Sequence, residues 1–214
     1  WEHENIPAII HAGYPGQRGG DAIADVIFGD YNPAGRLPVT YYKSISQLPP
    51  FDDYNMQGHT YRYFKGTPLY PFGYGLSYTT FEYSKINLSA KEIKSGDNLN
   101  VKAVIKNIGD VEGEEVVQLY IKDIESRYDI PLISLRGFRR IKLKPGEKAQ
   151  VEFLVTPQML AVIDDENEQV VEPGEFELFI GGKLPDVSGS GDVKSAGFVS
   201  DRFTVTGDFF LIEG

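Results

Sequence analysis

From Leu99 onward, apolar residues recur at every second position. Leu99, Val101, Ala103 and Ile105 alternate with Asn100, Lys102 and Val104. Val117, Leu119 and Ile121 alternate with Gln118, Tyr120 and Lys122, and the rhythm returns at Ala149, Val151, Phe153 and Val155 and at Phe176, Leu178 and Ile180. A period of two separates the side chains of an extended strand onto two faces, one for a core and one for solvent. Between these runs lie Ser95-Gly96-Asp97, Asn107-Ile108-Gly109-Asp110, Lys144-Pro145-Gly146-Glu147 and Glu172-Pro173-Gly174-Glu175, residue types that favour turns. Short strands joined in this way predict two antiparallel sheets packed as an immunoglobulin or fibronectin type III-like sandwich. The sandwich is placed at 84–214, with a polar insert near 184–202 before a last strand at Arg202–Thr206.

The first 66 residues have another texture. Ile6–Ala12 is a short apolar run that reads as a buried strand. A Gly- and Pro-rich loop, Gly13–Gly20, follows it. Ala22, Ile23, Val26 and Ile27 then fall on one face of a helix, with Asp21 capping it or sitting in its first turn and Gly29 and Pro33 ending it. Leu37–Tyr42 reads as another strand, 43–66 as an irregular connection, and Tyr61–Phe64 within it as a short aromatic strand. Strand, loop, helix and strand make a partial α/β segment. It is too small to enclose a parallel sheet, so it should expose apolar surface to a partner chain or a second copy. Residues 67–83 then form an aromatic seam, PLYPFGYGLSYTTF (Pro68–Phe81) at its heart. Pro68 and Pro71 fix φ, and Gly73 and Gly75 permit turns or close approach. Tyr70, Phe72, Tyr74, Leu76, Tyr78 and Phe81 are the expected packing residues between the two units.

Composition narrows the function classes. The 214 residues carry a formal net charge of −10, which leaves no basic surplus for phosphates and argues against nucleic acid or an anionic membrane surface as partner. With no cysteine, thiolate catalysis and Cys-based zinc sites are excluded. No apolar run reaches membrane-spanning length. The chain opens on Trp1-Glu2-His3 without an initiator Met, so its natural N-terminus is expected upstream.

Motif searches return little chemistry. His3, His11 and His59 lie in no nucleophile-elbow context and read as loop or edge residues, His59 being the best placed to face a ligand. Asp52-Asp53 and Asp164-Asp165-Glu166 lack the spaced oxygens and glycine of a calcium loop, so no metal or cofactor is expected. The glycines from Gly13 to Gly20 match neither a Walker loop nor a dinucleotide fingerprint. Arg36 is expected to pair with an acidic neighbour.

Ile6–Gln17 continuing through Gly19–Thr40 closely resembles the C-terminal half of family 3 glycoside hydrolases, the β-glucosidases and β-xylosidases. Pro68–Phe81 resembles the signature of the same family. Asn107–Asp110, Glu115–Tyr120, Leu135–Phe138 and Glu172–Gly174 resemble its fibronectin type III-like domain. The resemblance implies a parent enzyme, secreted or periplasmic, that hydrolyses terminal non-reducing β-D-glucosyl or β-D-xylosyl residues. It also implies that both catalytic carboxylates lie before Trp1, in a barrel domain and in the rest of the α/β domain, so that no catalytic residue is in this chain. A β-linked oligosaccharide or glycoside would be the substrate of the complete enzyme. Loops of the α/β domain would roof its pocket, and here His59, Tyr61 and Arg62, with Tyr14 and Gln17 nearby, are the candidate substrate contacts. The competing reading is a non-catalytic carbohydrate-binding or protein-interaction β-sandwich.

Overall fold

The computed structural model describes residues 1–185 and 197–212. Its β region has eleven strands among the described residues: β1 (Phe81–Leu88), β2 (Glu92–Lys94), β3 (Leu99–Asn107), β4 (Gly113–Asp123), β5 (Ser134–Leu143), β6 (Lys148–Val155), β7 (Val162–Ile163), β8 (Gln169–Val171), β9 (Gly174–Gly181), β10 (Phe198–Thr206) and β11 (Phe210–Leu211). One sheet has the order β1-β3-β6, the second β2-β10-β9-β4-β5, and a small third sheet β11-β8-β7. All pairings are antiparallel except β2 with β10.

The alternating residues do what their period demands. Leu99, Val101, Ala103 and Ile105 of β3 meet Val117, Leu119 and Ile121 of β4 and Phe176, Leu178 and Ile180 of β9 in one core, and Val151, Phe153 and Val155 of β6 complete it. Burying each such side chain contributes on the order of 1.5–3 kcal/mol. The sandwich follows the sequence expectation, with two adjustments. Its first strand starts at Phe81, whose side chain belongs to this core. The insert expected near 184–202 lies mostly, at 186–196, outside the described residues, and the last long strand begins at Phe198 instead of Arg202.

The first unit carries short helices α1 (Glu2–Asn5), α2 (Gly19–Phe28) and α3 (Thr60–Tyr63), and α4 (Pro157–Leu160) sits within the sandwich. Helix α2 is the one expected, with Asp21 in its first turn and Gly29 ending it at φ 84°. The strands expected at Ile6–Ala12 and Leu37–Tyr42 do not form. A strand needs a neighbour to receive its backbone groups, and Ile6, Ile9 and Ile10 stand 42%, 51% and 50% exposed, with no strand among the described residues pairing with them. Leu37–Tyr41 finds a partial substitute in the aromatic stretch: Leu37 N–H donates to the Tyr74 carbonyl at 2.8 Å, Gly73 N–H to the Leu37 carbonyl at 2.8 Å and Tyr41 N–H to the Tyr70 carbonyl at 2.9 Å. The aromatic strand expected at Tyr61–Phe64 is instead the helical turn α3, which carries one tyrosine inward onto the sandwich.

Candidate functional site

Strand β4 is the element on which the two units meet. Its alternation predicts a solvated face at Gln118 and Tyr120, yet they are only 3% and 0% exposed. The strand is buried on both sides. Val117, Leu119 and Ile121 enter the sandwich core, while Tyr120 belongs to a second cluster with Ile133, Phe179 and the half-buried Tyr61 and Phe72. Polar residues on a strand read as solvent-facing unless another layer covers them, and here the aromatic stretch is that layer.

The glycines of that stretch make the contact. Gly73 holds φ at 75°, and a Cβ there would stand 2.5 Å from Gln118 Oε1 and 2.9 Å from the Tyr120 hydroxyl. Gln118 Nε2 donates to the Gly182 carbonyl at 3.0 Å, and the Tyr120 hydroxyl donates to Gln118 Oε1. A Cβ on Gly75 would lie 2.3 Å from the Gly35 carbonyl oxygen. Close backbone approach is thus the reason for both glycines.

Polar bonds extend the junction. Asn32 Oδ1 accepts from the Ser77 hydroxyl at 2.9 Å and from Tyr78 N–H at 2.8 Å, and Asn32 Nδ2 donates to the Glu112 carbonyl at 3.1 Å. The Tyr31 hydroxyl donates to Glu114 at 2.8 Å, and Arg140 holds the same carboxylate. Those two donors keep the Glu114 carboxyl below its usual range. Arg36 finds its expected acidic partner in Glu115, with side chains only 10% and 4% exposed.

The expected packing residues divide. Phe72 stacks on Tyr61 with ring centroids 4.3 Å apart. Tyr70 contacts His3, Tyr41 and Tyr74, and the Tyr78 hydroxyl donates to the Val26 carbonyl at 2.6 Å. Leu76 departs from expectation, being 71% exposed. Its neighbours Gly75 and Ser77 both face inward, onto Gly35 and Asn32, and the side chain between them turns out.

Of the expected substrate contacts, His59, Tyr61 and Arg62 lie together around α3. Thr60 takes a left-handed φ of 54° and donates its N–H to the Tyr42 hydroxyl at 3.0 Å. The Tyr61 hydroxyl accepts from Leu135 N–H at 3.0 Å and the Arg62 carbonyl from Leu132 N–H at 2.7 Å. Tyr61 therefore uses its ring and its hydroxyl on the sandwich. His59 is half-buried, while Tyr14 and Gln17 are exposed on the loop before α2. Among the described residues no hydrogen bond or ring contact joins Tyr14 or Gln17 to the α3 turn.

Titratable groups add one feature that sequence reading missed. Burial pushes the Asp123 carboxyl, at the end of β4, up to about 6. No motif surrounds it, so only the fold reveals its burial. Asp164 Oδ1 accepts from Glu166 and Glu168 N–H at 2.9 and 2.8 Å, as a turn-forming acid does. Among the described residues, no group of three or more His, Asp or Glu is arranged to hold a metal ion.

Comparison with known proteins identifies the units. Residues 1–78 match the glycosyl hydrolase family 3 C-terminal domain, and residues 115–183 match a fibronectin type III-like domain. The chain carries the C-terminal part of a family 3 glycosyl hydrolase. It is 47% identical over 181 residues to a xylan 1,4-beta-xylosidase of Xylanibacter ruminicola, covering 84% of this chain and 21% of that protein. A periplasmic beta-glucosidase of Salmonella typhimurium is 38% identical over 192 residues, covering 84% of this chain and 25% of that one. Among solved structures, a beta-glucosidase of Erythrobacter marinus superposes with a TM-score of 0.80 at 36% identity, over 96% of this chain and 26% of its own. Beta-glucosidase 3B of Thermotoga neapolitana gives 0.79 at 33% identity, over 94% and 28%. The family 3 chain thus spans about a quarter of the length of these relatives, and its architecture is an α/β segment followed by a fibronectin type III-like sandwich.

Proposed function

We propose that this chain is the C-terminal portion of a retaining β-glycosidase that removes terminal non-reducing β-D-glucosyl or β-D-xylosyl residues. Its part is to scaffold the catalytic domains and, through the loop from Asp52 to Arg62, to roof the sugar pocket. Retention needs two carboxylates, one attacking the anomeric carbon and one protonating the leaving oxygen and then activating water. The reading assigns both to upstream domains. Among the described residues, the acids at the junction of the two units are already engaged, Glu115 by Arg36 and Glu114 by Arg140 and Tyr31.

The observation that carries the proposal is the number of large apolar side chains that the first unit leaves exposed. Ile9, Ile27, Phe28, Phe51 and Tyr54 are 51%, 59%, 82%, 103% and 92% exposed, in a segment matched to part of an enzyme domain. Surface of that kind marks an interface, and the remainder of the α/β domain, in cis or as a separate chain, is the occupant proposed here. The named β-xylosidase and β-glucosidase relatives support the two substrate classes, and the relative called periplasmic supports a secreted or periplasmic parent.

The test is an assay with aryl β-glucoside and aryl β-xyloside. The chain alone should release no aglycone above buffer, and the longer protein carrying the upstream domains should turn over one or both. Sustained turnover by the chain alone, or none by the longer protein, sinks the reading. Within an active longer protein, His59→Ala should raise KM if the loop roofs the pocket.

A further inference from the structure

Under the α3 turn, where it meets the sandwich, lies a cavity of about 240 Å³ lined by residues of both units. Its walls include the guanidinium groups of Arg62 and Arg136 and the acceptor side chains of Asp123, Asp129, Gln158 and Gln169. The Nε atoms of Arg62 and Arg136 are both buried without a hydrogen-bond partner. Among the described residues neither guanidinium enters an ion pair, and the one aromatic contact is Arg62 over Tyr63 at 5.7 Å. Burial first, and then the neighbouring Arg62 charge, holds the Arg136 guanidinium below its usual range. Two like charges facing one cavity with unused N–H groups are costly unless an anion joins them.

We propose that this cavity is a binding site for a sugar acid, with the carboxylate of a uronate held by Arg62 and Arg136 and its ring hydroxyls donating to the acceptors that share the cavity wall. The guanidinium fork matches a planar carboxylate. The aspartates select among anions. Among the described residues neither forms an ion pair with the arginines, so the cavity wall offers both guanidinium donors and carboxylate and amide acceptors. A phosphate dianion would be repelled by Asp123 and Asp129 and has few hydrogens to offer the acceptors, whereas a uronate carries one negative charge and several hydroxyl donors. The volume is of the order of a single small ligand rather than a polymer segment, being just below the usual range for drug-sized pockets. A uronate that decorates a polysaccharide backbone would reach it as a terminal residue. This assignment does not depend on the glycosidase reading.

Titration calorimetry on the full chain, with D-glucuronate, D-glucose, acetate and inorganic phosphate as separate probes, decides it. Glucuronate should bind saturably and at least roughly tenfold more tightly than each of the others. Arg136→Gln and Arg62→Gln should each weaken glucuronate roughly tenfold or more with no loss of melting temperature, and Arg136→Lys should recover only part of the affinity because it keeps the charge and loses the fork. Equal binding of glucose, tighter binding of phosphate, no saturable binding, or unchanged affinity in folded variants would each overturn the proposal. The longer protein should bind glucuronate as well; failure there would assign the arginine pair to an acidic side chain of the upstream domains instead. A failed aryl glycosidase assay with intact glucuronate binding would count against the function proposed above alone.

Discussion

Arg36 Nη2 reaches both carboxylate oxygens of Glu115, at 3.1 and 3.0 Å, across the boundary between the α/β segment and the sandwich. The remaining donors of the guanidinium are also used. Nε donates to the Gly182 carbonyl at 3.0 Å, and Nη1 to the Ala34 and Gly35 carbonyls at 3.2 and 3.1 Å. Glu115 accepts a further bond from the Tyr83 hydroxyl at 3.1 Å. Burial pushes the Glu115 carboxyl up, against the pull of Arg36 and Tyr83, and burial beside Glu115 pushes the Tyr83 phenol well up, so it remains a donor. A buried pair of this kind fixes geometry more than it adds stability, because desolvating both charges offsets much of their attraction.

Removing one partner should therefore hurt more than removing both. Arg36→Met leaves a buried carboxylate with Tyr83 and the Val116 N–H but no charge to balance it, and is expected to cost about 3–5 kcal/mol. The double variant Arg36→Met/Glu115→Leu should recover most of that loss. Urea unfolding of the two single variants and the double variant measures the coupling. Strictly additive losses would show that the pair acts as two independent contacts.

Gly73 is constrained twice over, by its φ of 75° and by Gln118 and Tyr120 standing where a side chain would go. Gly73→Ala is expected to destabilise by roughly 2–4 kcal/mol, the sum of left-handed backbone cost and overpacking. Gly146 offers the control: it has φ 76° and open space around its Cβ position, so Gly146→Ala should show only the backbone part, about 1–2 kcal/mol. Equal losses at the two positions would remove the steric contribution.

The contrast between β3 and β4 shows how much of this chain can be read from its residues. In β3 the apolar set is buried and the intervening set is not fully so, as a period of two implies. In β4 the same period is present, yet Gln118 and Tyr120 are buried by a segment far off in sequence. Periodicity reports which side chains share a face and is silent on whether a second layer covers that face. The same silence explains Ile6–Ala12, whose composition suits a strand but which pairs with no strand among the described residues. Arg62 and Arg136 were still less legible, because an arginine shows in sequence only its charge. That both Nε atoms are buried beside one cavity follows from the docking of α3 on β5. The aromatic stretch, by contrast, was legible through chemistry: two prolines and two glycines among rings predict a stiff, closely packed strip, although of its expected anchors Leu76 turns outward and Tyr78 stays half exposed while its hydroxyl bonds to Val26.

Phe72 tests whether that strip holds the α3 turn in place. Its ring stacks on Tyr61, which also meets Tyr120 edge-on at 6.2 Å. Phe72→Ala should lower stability by about 2–3 kcal/mol, near the small end for a large aromatic because the site is only partly buried. It should also increase amide exchange at Leu135, whose N–H donates to the Tyr61 hydroxyl. An unchanged melting temperature with altered sugar binding would instead make Phe72 a ligand contact.

Asp123 gives the chain a predictable response to pH. Its carboxyl is held near 6 in the folded protein, against 3.8 for the free side chain, with burial the main cause and the negative Glu172 a lesser one. The folded state therefore binds the proton more tightly than the unfolded chain does. Between about pH 4 and 6 folding takes up a proton at this group, so its contribution to stability grows as pH falls through 6 and is complete below 4. Above 6 the folded protein carries a buried carboxylate at a cost. One pKa unit corresponds to about 1.4 kcal/mol, but the group is partly open to solvent, and screening reduces the net penalty to roughly 1 kcal/mol. Asp123→Asn, which keeps the oxygen that accepts from Glu125 N–H, should then stabilise the chain by about that amount at pH 7.5 and by nothing at pH 3.5. Unfolding midpoints at the two pH values measure the difference, and a gain of the same size at both would mean that the carboxylate is not destabilised by its burial.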